Sequence, residues 1–324
     1  MRKSTVSVSP WQVFTLSFYG VIHITNNTLV FHKNDLINLK RKHNAFVGID
    51  SDGCLFPTME IKQKQCFHNL IVSQWHLEKI EKYVRESAEF ANLYSKYRGR
   101  NRFPCLLLSI DLIRNRPEVL ASGVKLPAFT SLKKFIASGV PLGNPTLEKL
   151  AGETGDEELV SILKWSKDVN AAIAKTVKNV PPFKWVRESL EQIRAQADAI
   201  CVSQTPTEAL VREWQEHDLL DYVKIIAGQE LGTKQEHLQM AAQGHYPAKR
   251  ILMIGDAPGD LSAVQGVNGH FFPINPGHEE ASWERFQNEA FKKFLNGTYG
   301  GAYEKALIAE FNQLLPETPP WIKK

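Results

Sequence analysis

Cysteine is scarce in this chain, at four of 324 residues: Cys54, Cys66, Cys105 and Cys201. No two share a CxxC spacing, which argues against a disulfide framework and a zinc site and favours a reduced, cytoplasmic setting. Long apolar runs are missing too. None reaches the roughly 18–20 residues that a membrane-spanning helix needs, so no membrane contact is expected. The nearest is residues 11–25, WQVFTLSFYGVIHIT, which follows Arg2 and Lys3. Gln12 and His23 interrupt it and no A-x-A-like site follows, so it does not read as a signal peptide. No repeat and no low-complexity tract occurs. A large charge excess is also absent. Lys and Arg number 39 against 35 Asp and Glu, a net +4 that is too mild to imply a nucleic-acid partner.

The charge is unevenly placed. Residues 1–44 hold six bases and one acid, and residues 59–197 hold 22 bases and 15 acids. Residues 45–58 hold two acids, and 198–324 hold 11 bases and 17 acids. A basic middle block is therefore flanked by acidic chain. The composition is otherwise that of a globular protein, and the length suits two folded units.

Short apolar runs bounded by turn residues read as buried parallel strands. They occur at 45–50 (AFVGID), 199–203, 222–226, 250–254 and 269–273. Helical patterns at 207–220 and 234–243 alternate with the later runs, the signature of βαβ units. The middle differs. Apolar residues at 67, 70, 77, 80, 84, 91 and 94 mark one face of a long amphipathic helix over 67–94. Further helices are expected at 105–121, 128–137, 146–150, 156–178 and 184–197, and a last one at 302–315. The fold expected is α/β: a Rossmann-like, doubly wound parallel sheet built from 45–58 and 198–324, interrupted by an all-helical domain at 59–197. Residues 1–44 are assigned to an N-terminal extension outside the functional part.

Four features carry chemistry. Asp50 and Asp52 stand two residues apart where the first strand ends, with Gly53 free to turn the backbone. In open α/β sheets, ligands bind at that end of the strands. Asp256 and Asp260 follow the 250–254 strand in the same way. Carboxylates converging on one sheet edge repel unless a cation sits among them, and all-oxygen ligation favours Mg²⁺. Ser203, Gln204 and Thr205 lie between a strand and a helix, where a hydroxyl and free backbone N–H groups suit an anion. Lys234 opens a helix after a Gly-containing turn and carries no assignment alone.

The order DxD, Ser, Lys, GDxxxD, each at a strand end or helix start, resembles the haloacid dehalogenase-like hydrolase superfamily, in its phosphatase branch with a helical C1 cap. The resemblance covers 45–60 and 198–275. It implies that Asp50 is a nucleophile forming an aspartyl-phosphate and that Asp52 is the general acid–base. It implies Mg²⁺ held by Asp50, Asp256 and the Asp52 backbone carbonyl, with Asp260 supporting that shell. Ser203, Gln204 and Lys234 would bind the phosphoryl group of a small phosphorylated metabolite. Cys54 stands where Thr or Val is usual, and the cap is longer than the compact version. An Asp at position 52 points to a phosphomonoesterase or a phosphomutase, since the dehalogenase and phosphonatase branches typically lack it. The rival readings are a sugar phosphomutase and a catalytically silent binding protein of the same fold. The basic block at 59–197 would steer an anionic substrate. Lys96, Arg98, Arg100 and Arg102 are expected to form a solvated basic turn rather than an anion or nucleic-acid contact. Trp165, Trp185 and Trp214 are expected in the core. No feature specifies an oligomeric state.

Overall fold

The computed structural model describes residues 13–14, 22–25 and 28–322, and side chains from residue 29 onward. Most of the 11–25 run lies outside the described residues. Three short strands, β1 (Val13–Phe14), β2 (Ile22–Thr25) and β3 (Thr28–Val30), form an antiparallel sheet of their own. The main sheet has five parallel strands: β4 (Phe46–Ile49), β5 (Asp198–Val202), β6 (Ile226–Ala227), β7 (Ile251–Gly255) and β8 (His270–Pro273). Their order is β6-β5-β4-β7-β8, so β4 is central and the chain first builds the sheet outward on one side of it, through β5 and β6, and then on the other, through β7 and β8.

Both faces of this sheet are covered, which is why its strands are apolar throughout. Val47, Ile49, Cys201 and Ile254 face one side with Trp214, Trp283 and Phe286. Phe46, Ile200, Val202 and Met253 face the other with Leu238 and Phe311. Gly48 fits because a Cβ there would come within 2.9 Å of both Leu238 Cδ2 and Met253 Sδ. All four cysteines are buried and unpaired.

Between β4 and β5 the chain is helical and builds a separate apolar cluster around Phe67, Val84, Phe103, Phe135 and Trp165. The pattern that predicts one helix over 67–94 is broken in two. A π-helical stretch Lys62–Phe67 runs into Thr-free helix His68–Gln74, the chain turns at His76 (φ 53°), and a second helix covers Glu81–Asn92. The turn lets the two helices pack on each other with Leu77 and Ile80 inside, which one continuous rod would not do. The 105–121 pattern is likewise two helices, Arg102–Asp111 and Pro117–Ala121, because Pro117 opens a new one. Helix Val186–Gln196, within the stretch expected to be inserted, packs with the sheet through Val186, Leu190 and Ile193.

Two segments tie the parts together. Residues 29–44, expected as an extension, pack on the sheet, with Leu36 fully buried. The N–H groups of Lys42 and His43 both donate to Asp198 Oδ2 at 2.8 Å. At the other end, the tail after helix Ala302–Leu314 crosses to the inserted helices. Lys96 N–H donates to Pro316 O at 3.2 Å, and Trp321 packs on Phe90 and beneath Arg116. Among the described residues no helix is long and apolar enough to cross a membrane.

Asp198 starts β5, at the end of the sheet away from the acid motifs. Burial disfavours its charge, but Lys224 at 2.6 Å, the Lys42 and His43 amides and the Tyr246 hydroxyl outweigh that and hold its carboxyl below the usual range. A lowered folded-state pKa stabilises above the unfolded value and is lost as pH falls through the folded one. Asp198→Asn is therefore expected to cost about 3 kcal/mol at pH 7. Urea unfolding should show that difference narrowing below about pH 4, near the unfolded carboxyl value; a constant difference would contradict the charge-based account.

Candidate active site

The parallel register sets the site. Ile49 pairs with Cys201 on one side and Ile254 on the other, so Asp50 and the residues just past β5 and β7 emerge together. Asp50 N–H donates to Ile254 O at 2.9 Å, which holds its backbone on the sheet. The chain then folds back on itself, with the N–H groups of Leu55 and Phe56 donating to Ser51 O and Gly53 N–H donating to Phe56 O. Trp214 donates to Ser51 Oγ at 3.0 Å and Trp283 to Cys54 O at 2.8 Å, clamping this loop from beneath. Burial pushes the Cys54 and Cys201 thiols well above their usual range, so neither is suited to act as a thiolate.

Carboxylate oxygens of Asp50, Asp256 and Asp260 lie within 4.8 Å of one another, and all three residues are buried. Lys234, the first residue of helix Lys234–Ala241, reaches between two of them, 2.7 Å from Asp50 Oδ2 and 2.7 Å from Asp260 Oδ1. Burial opposes its charge, but the two acids prevail and raise its pKa. Asp50 Oδ1 accepts the Ser51 N–H, and Asp260 Oδ2 accepts the Ala257 N–H. Asp260 thus caps the helix Pro258–Gln265 and belongs to the acid triad at once. Burial, with Asp256 nearby, pushes Asp50 up to about 7, against the pull of Lys234. Burial likewise lifts Asp260 to about 6.

This donor set fits a hard divalent cation. Three buried carboxylates converge, and Asp256 Oδ1 is buried with no hydrogen-bond partner among the described residues. Asp50, Asp256 and Asp260 are the residues whose carboxylates could hold it.

The side chain of Asp52 points elsewhere. Its Oδ1 takes Lys62 Nζ at 2.5 Å and the Thr58 hydroxyl, and its Oδ2 takes the Thr205 hydroxyl at 2.6 Å. Burial raises its pKa, but Lys62 and the two hydroxyls outweigh that and leave it lowered. Lys62 also lies 3.3 Å from buried Glu213, which burial and Asp52 push up to about 7. Ser203 ends β5, buried, with its Oγ accepting the Thr205 N–H at 3.2 Å. Gln204 is exposed, and its side chain donates to the carbonyls of Ser203 and Gly232 rather than toward the acids.

Sequence reasoning missed Thr58, Lys62, Thr205, Glu213 and Arg98. Thr58 and Lys62 are four apart at the start of the helical stretch, which puts them on one face toward Asp52. Thr205 was visible as a second hydroxyl at the β5 end. The expected solvated turn is overturned at Arg98 and Arg102, while Arg100 stays exposed. Lys96 pairs with Glu317, Arg100 lies over Tyr97, and Arg102 lies over Phe67 and donates to Ser166 O. Arg98 is only 2% exposed and binds Asp256. Ion-pair or hydrogen-bond partners within the chain account for Lys96, Arg98 and Arg102. Trp165 and Trp214 are buried as expected, and Trp185 is half-buried.

Gly53 (φ +77°) is required twice over. Its backbone is left-handed, and a Cβ would lie 2.5 Å from Asp256 Oδ2 and 2.6 Å from Arg98 Nη2. Gly53→Ala should lower stability by about 1–3 kcal/mol, the usual size of such strain; an unchanged melting temperature would refute this close packing.

No family model matches the chain, and no curated protein matches it. Among solved structures, it is similar to a haloacid dehalogenase-like family hydrolase from Streptococcus pneumoniae, with 14% identity, 76% of this chain and 91% of the other covered, and a TM-score of 0.41. A β-phosphoglucomutase from Clostridium difficile shares 14% identity over 79% and 98% of the two chains, with a TM-score of 0.45. A haloacid dehalogenase-like family hydrolase from Xanthomonas campestris shares 14% over 79% and 98%, with a TM-score of 0.37.

Proposed function

We propose that the chain is a Mg²⁺-dependent phosphomonoester hydrolase of the haloacid dehalogenase-like type, acting on a small phosphorylated metabolite through an aspartyl-phosphate. The observation that carries this reading is the buried triad of Asp50, Asp256 and Asp260, bridged by Lys234, with Asp52 two residues beyond Asp50 and bonded separately to Lys62 and the Thr58 and Thr205 hydroxyls. A bound Mg²⁺ would neutralise charge on the phosphoryl oxygens and favour the ionised form of Asp50.

The residues then divide the work. A carboxylate oxygen of Asp50 attacks phosphorus in line, the bond from phosphorus to the substrate's ester oxygen breaks, and that oxygen departs as the alcohol. Lys234 and Ser203, with the Gln204 turn behind it, bind the phosphoryl group. Asp52 exchanges the proton, giving it to the leaving oxygen and later taking one from the attacking water. Lys62 favours the carboxylate form of Asp52, the form suited to that second step. Lys62 stands at the entry to the helical region, so a shift of those helices would loosen its contact and raise the proton affinity of Asp52. In this division, residues 45–58 and 198–324, joined by helix Val186–Gln196, form the catalytic core, and the helices before that one a cap.

A panel of phosphate esters, beginning with p-nitrophenyl phosphate, assayed with and without Mg²⁺ tests the proposal. Mg²⁺-dependent phosphate release is expected. Inactivity across a broad panel with Mg²⁺ present would favour the silent binding protein instead. The burial of Asp50 beneath neighbouring side chains also suits a sugar phosphomutase, which must shield its phospho-enzyme from water. Conversion of a sugar 1-phosphate to the 6-phosphate, outpacing phosphate release, would select that reading.

A further inference from the structure

Arg98 brings a positive charge from the helical region into the acid triad. Its Nε and Nη2 lie 2.8 and 2.5 Å from the same oxygen, Asp256 Oδ2, and its Nη1 donates to Leu93 O at 2.8 Å. Both partners are essentially excluded from water. The approach is built into the backbone. Gly53 leaves the space in which the ion pair forms, and Gly99 (φ +75°) lies so near the loop after β7 that a Cβ would be 2.7 Å from Ala257 Cβ. The segment is also held from behind, by Lys96 N–H on Pro316 O. Asp256 thus offers one oxygen to Arg98, while its other, Oδ1, has no hydrogen-bond partner among the described residues.

One carboxylate charge cannot fully serve two cations. A guanidinium and a divalent ion on the two oxygens of Asp256 repel each other within a few Å, in a setting where water screens little. We propose that Arg98 is an internal counter-ion that competes with the divalent cation for Asp256, so that cation loading and docking of the helical region oppose each other. This rests on the cation site of the preceding reading. By linkage, whatever weakens the hold of Arg98 strengthens cation binding, and cation binding loosens the hold of Arg98 by the same factor.

The test is the Mg²⁺ and Mn²⁺ affinity of the full-length, substrate-free protein, measured by calorimetric titration. Removing a unit positive charge this close should make Arg98→Gln bind the cation about tenfold more tightly than the wild type. Arg98→Lys, which keeps the charge and loses the two-point contact, should fall between them, and it carries the test if Arg98→Gln does not fold. Mg²⁺ should also speed limited proteolysis of the helical region in the wild type and leave Arg98→Gln unaffected. Equal or weaker cation binding in Arg98→Gln, beside a wild type that binds, would overturn the inference while leaving the cation site standing. If neither protein binds a cation, and Asp256→Asn changes nothing, the cation site itself falls and the inference with it.

Discussion

Asp50→Asn is expected to reduce Mg²⁺-dependent phosphate release on the order of 10⁴-fold, the scale on which loss of a nucleophile is felt in a preorganised site. The substitution is nearly isosteric and keeps an oxygen for the Ser51 N–H, so the fold should survive. The loss should therefore appear in kcat, with melting temperature little changed. Asn is a poor nucleophile and cannot form the acyl phosphate. A variant retaining a tenth or more of the activity would assign Asp50 to charge placement alone. A variant that fails to fold would be uninformative on chemistry, which is why thermal melting must accompany the assay.

Lys234→Met should be the most destabilising single change at the site. It leaves Asp50 and Asp260 buried without their shared cation, and breaking such a pair costs about 3–5 kcal/mol. The pH dependence identifies the cause. Burial already pushes Asp50 up to about 7 and Asp260 up to about 6, against the pull of Lys234. Acids whose folded pKa is raised destabilise most above that pKa, where they are forced to ionise, and the cost fades as pH falls through it. The deficit of Lys234→Met in urea unfolding should therefore be largest near pH 8 and much smaller near pH 5. An equal deficit at both would point to lost packing rather than unbalanced charge.

The parallel strands were legible because both-face burial forces unbroken apolar runs, and 45–50, 199–203, 250–254 and 269–273 each lie within a residue or so of β4, β5, β7 and β8. The 222–226 run was less faithful. Its first residue, Tyr222, closes the 3₁₀ turn Leu220–Tyr222, and the strand paired with β5 is only Ile226–Ala227. Local apolar content says that a segment is buried, not which residues find a hydrogen-bonded neighbour. The same limit explains the broken 67–94 helix, since a 3.6-residue periodicity survives a turn that happens to keep its apolar face in phase.

At the site, Asp50, Asp256, Asp260 and Lys234 were readable because each sits at a strand end or helix start, and the sheet brings such ends together. Ser203 was readable for the same reason. Thr58 and Lys62 had a weak local signal in their four-residue spacing. Glu213 and Arg98 had none. Glu213 meets Lys62 only through the packing of helix Thr207–Gln215, and Arg98 meets Asp256 across 158 residues of chain. A basic run reads as solvated when its partners are distant in sequence. Here folding supplied the distant partners of Lys96, Arg98 and Arg102.

The central claim is a covalent phosphoryl bond to Asp50. Its most direct test is acid quenching during turnover of an active phosphate ester with Mg²⁺, followed by borohydride reduction and peptide mass spectrometry. An aspartyl-phosphate at residue 50 would be reduced to homoserine, and the account predicts homoserine at position 50 and at no other acid. Turnover that leaves Asp50 unmodified, or that marks Asp52, Asp256 or Asp260 instead, would contradict it.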